Sequence, residues 1–232
     1  MANNDSIHAG HRERLRNRFL EEGLDGFHEI NALELLLFYC VPRKDTNELA
    51  HRLIDYFGSY VGVLNASVQE LKKVQGVSDQ VATYLSLQGA AVRYYMVNQK
   101  STGTIIMTTE DYGNVLLPFF LGKNNETVYL LCLDAKCKVL CCREVSEGSV
   151  NAASISVRKV VDVALSSNAT SVILAHNHPS GLAIPSTEDI QTTQRVAKAL
   201  EAVDVTLIDH LIVADGDYIS LVQSGFYRAM VR

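Results

Sequence analysis

Residues 175–189, AHNHPSGLAIPSTED, form the one stretch of this chain whose residue types and spacing announce a chemistry. His176 and His178 stand two apart at the end of the apolar run SVILA; Ser186 follows eight residues after His178, and Asp189 three after that. Side chains at i and i+2 of a strand project to the same side, so both imidazoles reach one point without distortion of the backbone. Pro179, Ser180 and Gly181 turn the chain away, and Pro185-Ser186 opens a helix whose first turn points Asp189 back towards the histidines. Two imidazoles and one carboxylate make a three-ligand set for Zn2+ with a fourth position open, which suits hydrolysis rather than a structural role. Each part also has a plainer reading. Ser186-x-x-Asp189 is a helix capping box, and His-x-His in a loop carries little by itself. The conjunction of strand, paired histidines, tight turn and a serine with an acid at the next helix start favours the metal.

Residues 101–232 alternate strand and helix patterns around that stretch. Strands are predicted over 104–107, 127–134 and 139–145, the last two joined by the turn at Ala135-Lys136. Helices are predicted over 110–121, 156–166 and 187–202, and further strands over 205–214 and 218–221. A mixed sheet with flanking helices follows, of the α/β or α+β class. Residues 1–100 read instead as a small all-α domain of short helices. Leu15 and Phe19 share one helical face; Asn31 with Glu34, Asp45 with Glu48 and Ser67 with Glu70 resemble capping boxes; Gly58 marks a helix end; a last helix covers about 78–98. The segment from Lys100 to Gly103 is the expected junction.

The chain has 232 residues, 47 % of them hydrophobic, and a net charge of −5, with neither half basic. That balance excludes a disordered chain and a general polyanion binder. No apolar run approaches the roughly 20 residues that span a bilayer, and the N-terminal residues lack the apolar core of a secretory signal, so the expected location is the cytoplasm, with no membrane partner. Five cysteines, an odd number, are read as reduced, small buried hydrophobes rather than a second metal site. Asp209-His210 lies in an apolar strand. A histidine there is more often a hydrogen-bonded core residue than a ligand, with a place behind the metal ligands as the alternative.

His176-x-His178-Pro179, then Ser186 and Asp189 at this spacing, matches the JAMM (MPN+) metalloprotease signature. The wider wording, ILAHNHPSG with LIDHLIV, resembles the bacterial RadC family, and GHRERLRNRF, LELLLFY and FGSYVGVLNAS extend the likeness over nearly the whole chain. The resemblance implies a deaminase-like MPN/JAB domain over residues 101–232, preceded by a helix-hairpin-helix-like domain over 1–100. It implies zinc on His176, His178 and Asp189, with Ser186 donating a hydrogen bond to a developing oxyanion. It makes Glu126 the general base that moves a proton from water to the leaving amine. The residues alone do not rank Glu126 above Glu144 or Glu147, which also sit at strand ends. Gly148-Ser149 and Ser156-Val157-Arg158-Lys159 depart from the family wording, away from the metal ligands. The implied activity is hydrolysis of an amide, peptide or isopeptide-like bond in an unidentified peptide or protein substrate.

The alternative is a DNA-associated repair or recombination accessory protein that contacts DNA through its N-terminal domain. LKKVQGVS resembles a helix-hairpin-helix turn, with Ser78 where a second glycine usually stands. Arg12, Arg14, Arg16 and Arg18 form the only basic cluster, and alternate positions spread around a helix rather than line one side of it. Tyr84, Tyr94 and Tyr95 could stack on bases, although helical tyrosines are more often core. Oligomeric state stays open, a homodimer among the options.

Overall fold

The computed structural model describes residues 4–42, 45–99, 103–148, 155–179 and 181–228. Lys44, the first three residues of the expected junction (100–102), Ser149 and Ser180 of the expected turn lie outside them. The chain divides into two compact units, Met1–Val92 and Arg93–Arg232.

The first unit is all helical: α1 (Asn4–Glu22), α2 (Glu29–Cys40), α3 (Asn47–Phe57), α4 (Tyr60–Asn65), α5 (Val68–Leu71) and the start of α6 (Asp79–Gln99). Leu33, Leu37, Leu53, Val63, Leu71 and Leu85 form its core. The predicted cap at Ser67 is present, with Glu70 reaching back to the Ser67 backbone N–H, and Gly58 ends α3 in the left-handed region. Two other expected caps are corrected. Helix α2 starts earlier, at Glu29, which puts Asn31 inside it. Its Glu34 is buried and accepts from His11 and Asn47, a tertiary use that a local pattern cannot reveal. Helix α3 starts at Asn47, and Asp45 accepts from the Asn47 N–H from outside the helix.

Leu15 is buried, whereas Phe19 is exposed. Two of the alternating arginines are used within the unit: Arg12 donates to the Val41 carbonyl and lies over Phe38, and Arg18 donates to Glu22 and the Gly26 carbonyl. At the hairpin turn, the Ser78 hydroxyl accepts from the Val81 N–H, and Lys72 pairs with Asp79. Gly89 has a packing reason: a Cβ there would stand 2.1 Å from the Leu64 carbonyl oxygen, so α6 approaches the end of α4 only with glycine. Tyr84 packs against the core, while Tyr94 and Tyr95 are exposed.

The second unit is a mixed α/β layer structure. It holds α7 (Thr109–Phe120), β1 (Thr127–Leu133), β2 (Val139–Glu147), α8 (Val157–Ser166), β3 (Ser171–Asn177), α9 (Thr187–Glu201), β4 (Thr206–Ala214) and β5 (Asp217–Ser220). The sheet order is β2-β1-β3-β4-β5, with β3 and β4 parallel and the other neighbours antiparallel. A parallel pair needs a crossover, and α9 supplies it between β3 and β4. Residues 104–107, expected as a strand, contribute one bridge, Ile105 to Lys138, and no strand: the segment meets β2 only at its start.

Alternation along the strands separates two cores. Leu130, Val172, Leu174 and Leu207 pack against Val160 of α8 and Val196 of α9. Leu131, Ile173, Leu211 and Val213 pack on the other side against Val115 and Leu116 of α7. All five cysteines are free, Cys40 and Cys132 buried and the rest half-buried. No helix among the described residues is long and apolar enough to cross a membrane.

Candidate metal centre

The site forms where β3 ends, β1 begins and α9 starts. Strand β1 runs antiparallel to β3 with Val128 opposite His176. Two residues further out on each strand, the same register carries Glu126 towards His178. Val128 belongs to the core under α8 and α9, so His176 and Glu126 share the α9 side of the sheet.

Four of the candidate side chains gather there. His176 Nε2 and His178 Nε2 stand 2.9 Å apart. Asp189 Oδ1 lies 3.1 Å from the first nitrogen and Oδ2 3.5 Å from the second. The Glu126 carboxylate joins the two imidazoles in a group whose ligand atoms all lie within 4.8 Å of one another. The three ligands read from the sequence and the base implied by the resemblance are thus brought together. Glu144 and Glu147 are not in this group; they pair with Lys123.

Local geometry sets each side chain. His178 is anchored through its N–H to the Val213 carbonyl, and its Nδ1 lies 3.0 Å from the Leu182 carbonyl oxygen. A carbonyl only accepts, so Nδ1 carries a proton, and in the neutral ring Nε2 faces the site with a lone pair. Gly181 has φ +87°, and a Cβ would meet Asp215 Oδ2 at 3.0 Å, so the turn that delivers the chain from His178 to α9 requires glycine. The Ser186–Asp189 capping box is present in full. Asp189 N–H donates to Ser186 Oγ at 3.1 Å, while Ser186 N–H and Oγ–H both donate to Asp189 Oδ2, at 2.8 and 2.7 Å. The cap therefore aims Asp189, leaving Oδ1 towards the imidazoles. The Ser186 hydroxyl proton is engaged by Asp189, not turned to an open site.

Electrostatics follow from this crowding. Burial works to raise the Asp189 pKa, but His176 and His178 outweigh it and hold the carboxyl far below the ordinary range. His178 is pushed up, first by Asp189, against the desolvation that would lower it. Burial pushes the Glu126 carboxyl up while the two histidines pull the other way, which brings this group nearer to the neutral range where a general base works best. Burial drives His210 well below the usual imidazole value.

The residues fit a cation. Asp189 Oδ1 is buried and has no hydrogen-bond partner, although His176 Nε2 stands 3.1 Å away. An orphaned carboxylate oxygen in the interior is costly, by roughly 1–3 kcal/mol or more for a charged group. One proton can serve only one pair among the two imidazoles and the carboxylate. A divalent ion serves all three, and two nitrogens with a carboxylate oxygen are zinc-type donors.

Three further residues have roles that sequence reasoning left open or did not see. Asn177, between the two histidines but on the opposite side of β3, accepts from Thr127 N–H at 2.7 Å and donates to the Lys123 and Asn125 carbonyls at 3.3 and 3.1 Å. One amide thus pins the segment that carries Glu126. Asn177→Ala leaves the buried Thr127 N–H without its acceptor and is expected to cost about 1–3 kcal/mol, read by denaturant unfolding; a change within about 0.5 kcal/mol would contradict the clamp. His210 and Thr193 lie behind His176, with His176 Nδ1 2.7 Å from His210 Nε2 and His210 Nδ1 2.6 Å from Thr193 Oγ1. The i,i+4 spacing of Asp189 and Thr193 on α9 was a usable signal for the second of these.

Residues 106–226 match the family model described as a RadC-like JAB domain. The chain is also 36 % identical, over 93 % of its length and 96 % of the relative's, to a UPF0758 protein of Fusobacterium nucleatum subsp. nucleatum. A likeness that spans both units and the turn from His176 to Asp189 makes the chain a member of the RadC family, with a JAB-type domain at its C-terminal side.

Proposed function

We propose that this protein is a metal-dependent hydrolase of an amide bond, peptide or isopeptide-like, in a peptide or protein substrate. The observation that carries the reading is the buried Asp189 carboxylate, whose Oδ1 has no hydrogen-bond partner, set 3.1 and 3.5 Å from the Nε2 atoms of His176 and His178, with a carboxyl group of raised pKa beside them. His176, His178 and Asp189 would hold Zn2+. When bound, such an ion supplies Lewis acidity that makes water acidic enough to react near neutral pH.

The remaining work falls to the chain itself. Glu126 takes a proton from the attacking water and returns it to the departing amine, a role worth about 10²–10⁴-fold in rate. Its raised pKa suits both halves of that task. Ser186 donates to the developing oxyanion, which requires its hydroxyl to rotate from Asp189 Oδ2 to the substrate. Asp189 keeps the backbone N–H of Ser186 when that happens, so the cap survives the rotation.

The reading is tested with a library of internally quenched linear peptides together with a branched peptide carrying an isopeptide bond. Cleavage that a chelator abolishes and added zinc restores is the expected result. Cleavage indifferent to the chelator would place the chemistry elsewhere in the molecule.

A further inference from the structure

The contacts behind His176 form a closed chain. His176 Nδ1 meets His210 Nε2 at 2.7 Å, His210 Nδ1 meets Thr193 Oγ1 at 2.6 Å, and Thr193 Oγ1 meets the Asp189 carbonyl oxygen at 2.6 Å. His210, Thr193 and Asp189 are each 0 % exposed and His176 1 %, so solvent offers none of them a substitute partner.

Burial and donor chemistry together fix where the protons sit. A carbonyl oxygen only accepts, so the single hydroxyl proton of Thr193 goes to Asp189. Towards His210 the hydroxyl can then only accept, and His210 must carry its proton on Nδ1. A neutral imidazole of that form presents a bare Nε2, so the proton between the two histidines belongs to His176 Nδ1. In the neutral ring His176 Nε2 is then bare, and it faces His178 Nε2 and Asp189 Oδ1. A doubly protonated His210 would reverse the last link and put a proton on His176 Nε2. A charged His210, 0 % exposed and held between an imidazole and a hydroxyl, would be a buried charge without a counter-ion in contact, which argues against that arrangement.

We propose that Thr193 and His210 are positioning residues of the metal centre, which lock His176 as the Nδ1–H tautomer and thereby aim an unprotonated Nε2 at the ion. The proposal rests on the metal reading of the site. Histidine ligands generally pass their second nitrogen's proton to a carboxylate, carbonyl or water. Here the acceptor is an uncharged imidazole, which orients the ligand without adding a further negative charge to a centre that already holds Asp189 and Glu126. One turn of α9 carries both ends of the device: Asp189 supplies a ligand through its side chain, and through its carbonyl it sets the tautomer of another.

The test uses the full-length chain with 15N-labelled histidine. Long-range 1H–15N spectra of metal-free protein report each ring's tautomer, and a Co2+ titration reports affinity and the ligand-field spectrum. His176 and His210 are both expected in the Nδ1–H form. Thr193→Val, which keeps the shape and removes the acceptor, is expected to weaken Co2+ binding about 10–100-fold and to change the cobalt spectrum; Thr193→Ser is expected to restore both. Should Thr193→Val fail to fold, the wild-type tautomers still decide. Wild type that binds Co2+ with His210 or His176 in the Nε2–H form overturns the relay and leaves the metal centre standing, as does Thr193→Val binding as tightly as wild type. Wild type that binds no metal, whatever its tautomers, overturns the metal reading and the relay's role with it.

Discussion

Glu126→Gln is expected to lower hydrolysis about 10²–10⁴-fold while the protein keeps its metal. The substitution preserves size and hydrogen-bonding capacity but removes the ability to take a proton, so it separates proton transfer from everything else Glu126 does. Two observations make the outcome informative. Burial pushes this carboxyl up, as a base working near neutral pH needs, and its backbone is held by the Asn177 amide through the Thr127 N–H. The same carboxylate also lies within ligand distance of the two imidazoles, so the geometry alone is compatible with a fourth ligand. Metal content parallel to activity in wild type and variant resolves this. Retained metal with lost turnover is the result for a base; metal lost together with turnover would make Glu126 a ligand and leave the base unassigned.

Asp189→Ala is expected to do the reverse, removing metal first. It deletes the carboxylate that pairs with both imidazole nitrogens, at 3.1 and 3.5 Å, and metal affinity should fall by more than the roughly 100-fold that an outer partner contributes. It also removes half of the capping box of α9, which costs about 0.5–2 kcal/mol of stability. Ser186→Ala separates the two effects, since it loses the cap hydroxyl and keeps the carboxylate. The expectation is a similar loss of stability with metal binding within about tenfold of wild type. Equal metal loss in both variants would mean that the cap, not the carboxylate, holds the site together.

The helix cap shows how much of this centre was legible in the sequence. Ser186-x-x-Asp189 reads as a capping box from local rules, and the structure realises it atom by atom. Its second use, aiming the free carboxylate oxygen at the histidines, follows only because β3 and α9 are joined by a turn short enough to fold back. Strand alternation accounts for His176 and His178 sharing one side. The place of Glu126 is different. It depends on the antiparallel register of β1 with β3, a contact about fifty residues away in sequence, which no local pattern encodes. For the same reason, the capping-box patterns at Asn31 and Asp45 serve a tertiary contact or lie outside the helix, while the one at Ser67, on an exposed helix start, forms. For His210 the sequence leaves two readings open, a hydrogen-bonded core residue and a place behind the metal ligands. The partners that give it a purpose come from α9 and β3.

The most direct measurement of the central claim is elemental analysis of the full-length protein, purified without added metal and without an affinity tag of histidines. The account predicts about one zinc per chain, the occupancy of one three-ligand site, falling to background in His178→Ala. Zinc well below that in the wild type, and unchanged by His178→Ala, would contradict it.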